Sequence, residues 1–360
     1  KTFGESKSQS REKTLAKIAN IKGAYVPVYP KNSVKKRFVK NFDKSFFPVK
    51  WLVPLTEIVH DRISLEIMRG CGQGCFFCQA GSCWKPVRVK SPANLIDTAL
   101  QVYKNTGYEE ISLLSFSSGD HPHIGELIDG MLAKFREKKV RISFPAVRID
   151  TFSFELASKL KGIKKTGLTF APETGERLRA AIGKKIKDSE LIELVLKAKK
   201  NGWKQIKLYF MLGLPGEEEK DLLDVARLIN ELSRIITIKA AFNTFVPKPH
   251  SRFERKRFIS AEEYGYKKRI LVENIRYSRF TKITFHPYEM SCVEAFLSRG
   301  DENLSGVILD VWEKGGKMEN WNEYFNFSLW QEGFYKKNLS FDTYLSELKQ
   351  DHLPWHLIQV

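Results

Sequence analysis

The sequence predicts an α/β protein assembled from parallel β/α units, and three observations predict it. Six short apolar or β-branched runs, at 63–67, 111–116, 140–144, 167–170, 206–211 and 239–245, alternate with helical stretches from about residue 51. Each run reads as near-continuously apolar, the pattern of strands that crossover helices bury on both faces. The stretches between them are amphipathic and carry helix-end signals. Eight such units would close a full barrel, and six fall short of that.

The ends can be taken in order. Ser91 and Pro92 open the first helical stretch, and Gly107 closes it. Asp188 opens another that closes at Gly202, and Ser260 with Glu263 makes a capping box for a third. Beyond 283–285 the alternation stops. Trp312, Trp321, Phe325, Phe327, Trp330 and Phe334 then crowd one stretch, which reads as the core of a small, mainly helical appendage spanning 291–360. The alternating region spans 51–290.

Residues 1–50 stand apart. They hold 13 Lys/Arg against 3 Asp/Glu, within a chain whose net charge is +18. This segment reads as a basic linker or N-terminal extension. Interleaved Phe38, Phe42, Phe46 and Phe47 give it the character of a nucleic-acid-touching arm as well. The basic balance points to a polyanionic partner such as RNA. No apolar run reaches the roughly 18–20 residues of a membrane span, and no secretory signal opens the chain, so a cytoplasmic protein with no membrane partner is expected. The start at Lys1 reads as a piece cut from a longer chain.

Chemistry concentrates in the cysteines. Cys71, Cys75, Cys78 and Cys83 lie within 13 positions, with Cys292 far away. Clustering of this kind points to metal or redox chemistry rather than to a disulfide framework. Cys71, Cys75 and Cys78 follow C-x3-C-x2-C directly after the first strand, and interspersed Gly70, Gly72 and Gly74 let the backbone turn tightly. Three thiolates on a four-iron cluster leave one iron open to a substrate or cofactor. The spacing also admits a zinc site completed by Cys83, or a closed four-cysteine cluster.

The motif and its place resemble the radical S-adenosylmethionine superfamily, whose signature has an aromatic residue before the last cysteine, here Phe77. The resemblance implies a partial (β/α)6 TIM-like barrel, a 4Fe-4S cluster on Cys71, Cys75 and Cys78, and S-adenosylmethionine on the open iron. Further stretches, among them Cys78-Gln79-Ala80-Gly81, Ala171-Pro172-Glu173 and Val246-Pro247-Lys248-Pro249-His250, resemble an uncharacterised family in which a cobalamin-binding domain precedes the radical domain. Two departures stand out: this chain carries neither the cobalamin domain nor that family's Cys-rich C-terminal segment. Cobalamin would therefore enter only through a domain outside this chain.

The same resemblance assigns further residues. Ser118, Gly119 and Asp120, after the second strand, match the motif that grips the cofactor's amino group, and a carboxylate suits an ammonium. Arg148, Asp150 and Glu173 end the third and fourth units and become candidates for the cofactor's carboxylate, its ribose or the substrate. Gly213 and Leu214 match the turn against which the adenine lies. His250 is a candidate for the substrate cavity, while Cys83 and Cys292 read as small buried residues or substrate-facing thiols. The implied activity is reductive cleavage of S-adenosylmethionine to a 5′-deoxyadenosyl radical, with flavodoxin or ferredoxin as electron donor and an unassigned substrate. Two rival readings are a zinc-stapled RNA-binding module and a tRNA-modifying methylthiotransferase-like enzyme.

Overall fold

Two parallel sheets carry the architecture. In the first, β1 (Ile63–Glu66) pairs with β2 (Glu110–Leu114), and β2 with β3 (Arg141–Ser143). In the second, β4 (Leu168–Glu173), β5 (Gln205–Leu212), β6 (Thr237–Thr244) and β7 (Thr281–Phe285) lie side by side in chain order. The computed structural model describes residues 4, 9–143, 148–149, 168–276 and 278–360. The 144 and 167 ends of two expected runs, and Asp150, lie outside the described residues. The architecture is the partial β/α barrel expected, with β7 adding a seventh parallel strand.

Each sheet is backed by helices on one face. Ile63, Leu65, Ile111, Leu113 and Ile142 pack against α1 (Pro92–Thr106) and α2 (Ile124–Phe135). Helix α1 is built as its ends predict: the Ser91 hydroxyl accepts from the Asn94 backbone N–H, Pro92 occupies the first turn, and Gly107 ends it at φ 71°. A short α3 (Glu176–Ala181) follows β4. Ile206, Leu208, Phe210, Ile238 and Ala240 pack under α4 (Asp188–Lys200) and α5 (Glu219–Ile235).

The second sheet differs from its sequence reading in one respect. β5 and β6 bury every second residue only, and Lys207, Lys239 and Lys282 on the other face are exposed. Burial on both faces does not hold here, because the face turned away from the helices lines the open barrel rather than a packed layer.

Helices α6 (Ala261–Asn274), α7 (Tyr288–Arg299), α8 (Leu304–Glu313), α9 (Phe327–Lys336) and α10 (Phe341–Leu345) complete the chain. Phe296, Trp330, Phe334 and Tyr344 form the core of the C-terminal part and share it with Val246, Phe258 and Ile259 of the loop after β6. Trp312 and Trp321 stay more than half exposed, so the aromatic cluster is only partly a core. The basic segment also docks on the barrel. Val34–Lys35 pairs in parallel with Ile358–Gln359, and Phe42 is buried beneath the cations of Arg69, Arg88 and Lys90. Among the described residues, no helix is long and apolar enough to cross a membrane.

Candidate active site

The cysteine loop leaves β1 and is shut at its base by a small antiparallel pair, Met68–Arg69 against Arg88–Val89. Gly70 turns the chain into the loop at φ 98°, where a Cβ would stand 2.6 Å from the Trp84 carbonyl oxygen, so no other residue fits this entry. The loop is then fastened from several sides. The Phe76 N–H donates to the Ile182 carbonyl at 3.0 Å, and the Arg252 guanidinium covers the Phe76 ring at 4.1 Å. Lys36 of the basic segment donates to the carbonyls of Cys83 and Lys85. Gly183, at φ 80°, passes beneath Phe76, where a Cβ would meet the ring at 2.9 Å.

This fastening leaves Cys71, Cys75 and Cys78 as free, half-buried thiols on the wall of one cavity of about 340 Å³. Phe77, Phe116, Ser117, Arg148, Thr169, Glu173, Lys184 and Tyr209 share that wall. Burial pushes the Cys71 and Cys75 thiols up; the Gln73 backbone and the Arg148 charge oppose this at Cys71, and Lys184 opposes it at Cys75. Deprotonating them in place therefore calls for a further positive charge, which a metal centre provides. Among the described residues no three His, Cys, Asp or Glu side chains converge on one point as ligands of a single ion. Cysteine thiolates are also the ligand type by which proteins hold iron–sulfur clusters.

Near the thiols, the end of β4 is irregular. Its register with β5 shifts between Phe170 and Glu173, and Glu173 takes φ 71°, a left-handed conformation that costs a non-glycine residue energy. Arg179, fully buried on α3, holds this kink by donating to the carbonyls of Pro172 and Thr174 on either side of it, and also to Ile186 and Asp188. The kink turns the Glu173 carboxylate to Lys184 at 2.6 Å. Burial pushes that carboxyl up, against the pull of Lys184. The Ser117 hydroxyl is buried on the same wall and has no hydrogen-bond partner among the described residues. A buried polar atom in that state is suited to bond a water or a ligand.

A family model described as the Radical SAM superfamily matches residues 65–229, from β1 through most of α5. Residues 65–229 thus carry a radical SAM domain. An uncharacterized protein of Methanocaldococcus jannaschii is 29% identical over 299 residues, 82% of this chain and 65% of that protein. The tRNA-2-methylthio-N(6)-dimethylallyladenosine synthase of Clostridium novyi is 24% identical over 260 residues, 70% of this chain and 53% of the enzyme. This chain thus spans less than two thirds of the curated relatives it matches. Among solved structures, the radical S-adenosylmethionine methyltransferase TsrM from Kitasatospora setae, with cobalamin and a 4Fe-4S cluster bound, superposes with a TM-score of 0.51. That superposition covers 77% of this chain and 61% of TsrM at 11% identity, a likeness of fold.

Several of the residues singled out from the radical SAM motifs meet in the cavity: the three cysteines, Phe77, Arg148 and Glu173. Others stand behind it. Ser118 is fully buried and its hydroxyl is engaged with the Leu113 carbonyl and the Ser115 hydroxyl, so Ser117 takes the place on the wall. Gly119 follows in the same short helical turn, and Asp120 accepts from the Gln73 side chain at 2.8 Å, which links the second strand to the cysteine loop. Gly213 and Leu214 lie one layer back, where Leu214 packs with Leu178, Ile182 and Phe245, and Phe77 leans on the same cluster. His250 donates its backbone N–H to Glu254 and is not on the cavity wall. Cys83 is half-buried off that wall; Cys292 is buried in the appendage core, its thiol pushed up to about 12 by burial.

Sequence reasoning passed over Lys184, Arg179, Thr169 and Tyr209. Thr169 and Tyr209 face the barrel interior from strands that read as apolar throughout, so they carried no usable signal. Lys184 and Arg179 carried none either, since their positions follow from the kink at Glu173.

Proposed function

We propose that this radical SAM enzyme holds a 4Fe-4S cluster on Cys71, Cys75 and Cys78 and binds S-adenosylmethionine against it in the cavity they line. When bound, the cluster supplies the electron that splits S-adenosylmethionine into methionine and a 5′-deoxyadenosyl radical, which takes a hydrogen atom from substrate. The observation that carries this reading is that three free thiols line one cavity together with Glu173 and Lys184.

The chain's own side chains divide the remaining work. Arg148 provides a cation for the cofactor's carboxylate, and Glu173 with Lys184 provides an acceptor and a donor for its amino and hydroxyl groups. The Ser117 hydroxyl is free to bond the same ligand. Phe77, Phe116 and Tyr209 close the cavity with apolar surface that excludes water from a reactive species. Asp120 acts through Gln73, setting the loop that carries the thiols.

Anaerobic reconstitution with iron and sulfide, followed by iron quantitation and an assay for 5′-deoxyadenosine with S-adenosylmethionine and dithionite, tests the proposal. About four irons per chain and release of 5′-deoxyadenosine are expected. The Cys71→Ala/Cys75→Ala/Cys78→Ala variant should lose both. Colourless protein with one zinc would instead favour the stapled binding module. A second reading, action on tRNA, draws support from the +18 charge and from the tRNA-modifying relative. Cobalamin assistance rests on the family resemblance alone and would require a domain outside this chain.

A further inference from the structure

On the inner face of the second sheet, one register step runs Thr169, Lys207, Lys239, Lys282 across four adjacent strands. Neighbouring strands stand about 4.8 Å apart, so the three lysine stems leave the sheet side by side over about 10 Å. Like charges set directly opposite one another destabilise a sheet. Here nothing nearby offsets them: among the described residues no carboxylate lines the cavity of about 380 Å³ they share, and none of the three makes an ion pair. Lys207 also lies over the face of Tyr209, 4.6 Å from the ring centroid.

The barrel interior is polar at this depth on the other sheet too, where Ser64, Ser112 and Ser143 share one register step. Closed β/α barrels fill this layer with branched apolar side chains. This one is furnished for a solvated or charged occupant instead.

The lysine cavity adjoins the cysteine cavity. Thr169 lines both, and Tyr209, two residues beyond Lys207 on β5, lines the cysteine cavity. Two residues along a strand span about 7 Å. A molecule held at one end by the lysines would therefore reach the reactive cavity with its other end.

We infer that Lys207, Lys239 and Lys282 form an anion subsite that takes the phosphate or pyrophosphate end of a small-molecule substrate. Ammonium groups bind phosphate oxygens as point charges, and the Thr169 and Thr284 hydroxyls on the same wall add donors. That the anion belongs to the substrate rests on the proposed radical chemistry above; the site itself does not.

Isothermal titration of the full chain with inorganic pyrophosphate, at several salt concentrations, tests the inference. Saturable binding of one pyrophosphate per chain, weakening as salt rises, is expected. Each single Lys→Met change should weaken it about tenfold, and Lys207→Met/Lys239→Met/Lys282→Met should abolish it. Thermal melting without ligand guards against misfolding: removing a like charge should leave the melting temperature of Lys239→Met at or above that of the unaltered chain. Absence of saturable binding, or equal binding by the triple variant, overturns the site. Displacement of pyrophosphate by a single-stranded RNA oligonucleotide overturns the small-molecule assignment. The Cys71→Ala/Cys75→Ala/Cys78→Ala variant should still bind pyrophosphate. Pyrophosphate binding by a chain that forms no 5′-deoxyadenosine would sink the proposed function and leave the anion site standing, and the converse result would do the reverse.

Discussion

At the scale of single residues, Arg179 shows how a side chain outside the cavity sets the chemistry inside it. Its guanidinium is fully buried and spends its donors on the carbonyls that flank Glu173, on Ile186 and on Asp188. Replacing it with Met leaves buried carbonyls unpaired and releases a strained residue. Arg179→Met should therefore lower stability by about 3–5 kcal/mol in a denaturant titration. A loss below about 1 kcal/mol would mean that the kink at Glu173 holds itself. None of this was legible beforehand. Arg179 sits in Glu176-Arg177-Leu178-Arg179, an ordinary charged helix start, and only the three-dimensional path of β4 distinguishes it from Arg177, which is half-exposed and pairs with the buried Asp221. The cysteines were legible at once as a candidate metal site, because ligand type and spacing are read directly from the sequence.

At the scale of elements, helix ends were the most readable feature and strand faces the least. The Ser260–Glu263 capping box forms as the sequence predicts, each partner bonding the other's backbone. Arg257 adds a paired contact of 2.6 Å to each Glu263 oxygen, and that hydrogen bonding holds the carboxyl down at about 2. A carboxyl depressed in the folded state stabilises the fold above its unfolded value near 4.3 and loses that contribution as pH falls toward about 2. The Glu263→Gln variant keeps the cap but not the charge. Its acid unfolding should start from lower stability at neutral pH and show a flatter slope between about pH 4.3 and 2 than the unaltered chain. Identical slopes would mean that solvent screens the half-exposed pair completely. Strand faces misled for a definite reason. In Gln205–Leu212 the odd positions hold Lys207, Tyr209 and Met211, and a run with Tyr and Met on its inner face looks apolar throughout. The sequence pattern distinguishes a buried face from an open one only where the open face is uniformly charged.

At the scale of the whole molecule, the two ends of the described chain converge on the reactive loop. Val34–Lys35 pairs with Ile358–Gln359, Lys36 reaches the carbonyls of Cys83 and Lys85, and Trp355 and His356 both bond Glu254, which receives the His250 N–H. Deleting residues 353–360 removes both anchors together. Hydrogen exchange at 34–36 should then quicken markedly, with a smaller rise across 83–87, while the strands at 205–212 keep their protection. Unchanged exchange at 34–36 would show that Phe42, beneath its three cations, holds the segment unaided. This closure also fixes a timetable. A ribosome delivers residue 34 some 324 residues before its strand partner at 358, so until that partner emerges the loop bearing the thiols waits without its outer tether. Whatever loads that loop meets it either before the tether closes, as an open segment, or afterwards, through the cavity mouth alone.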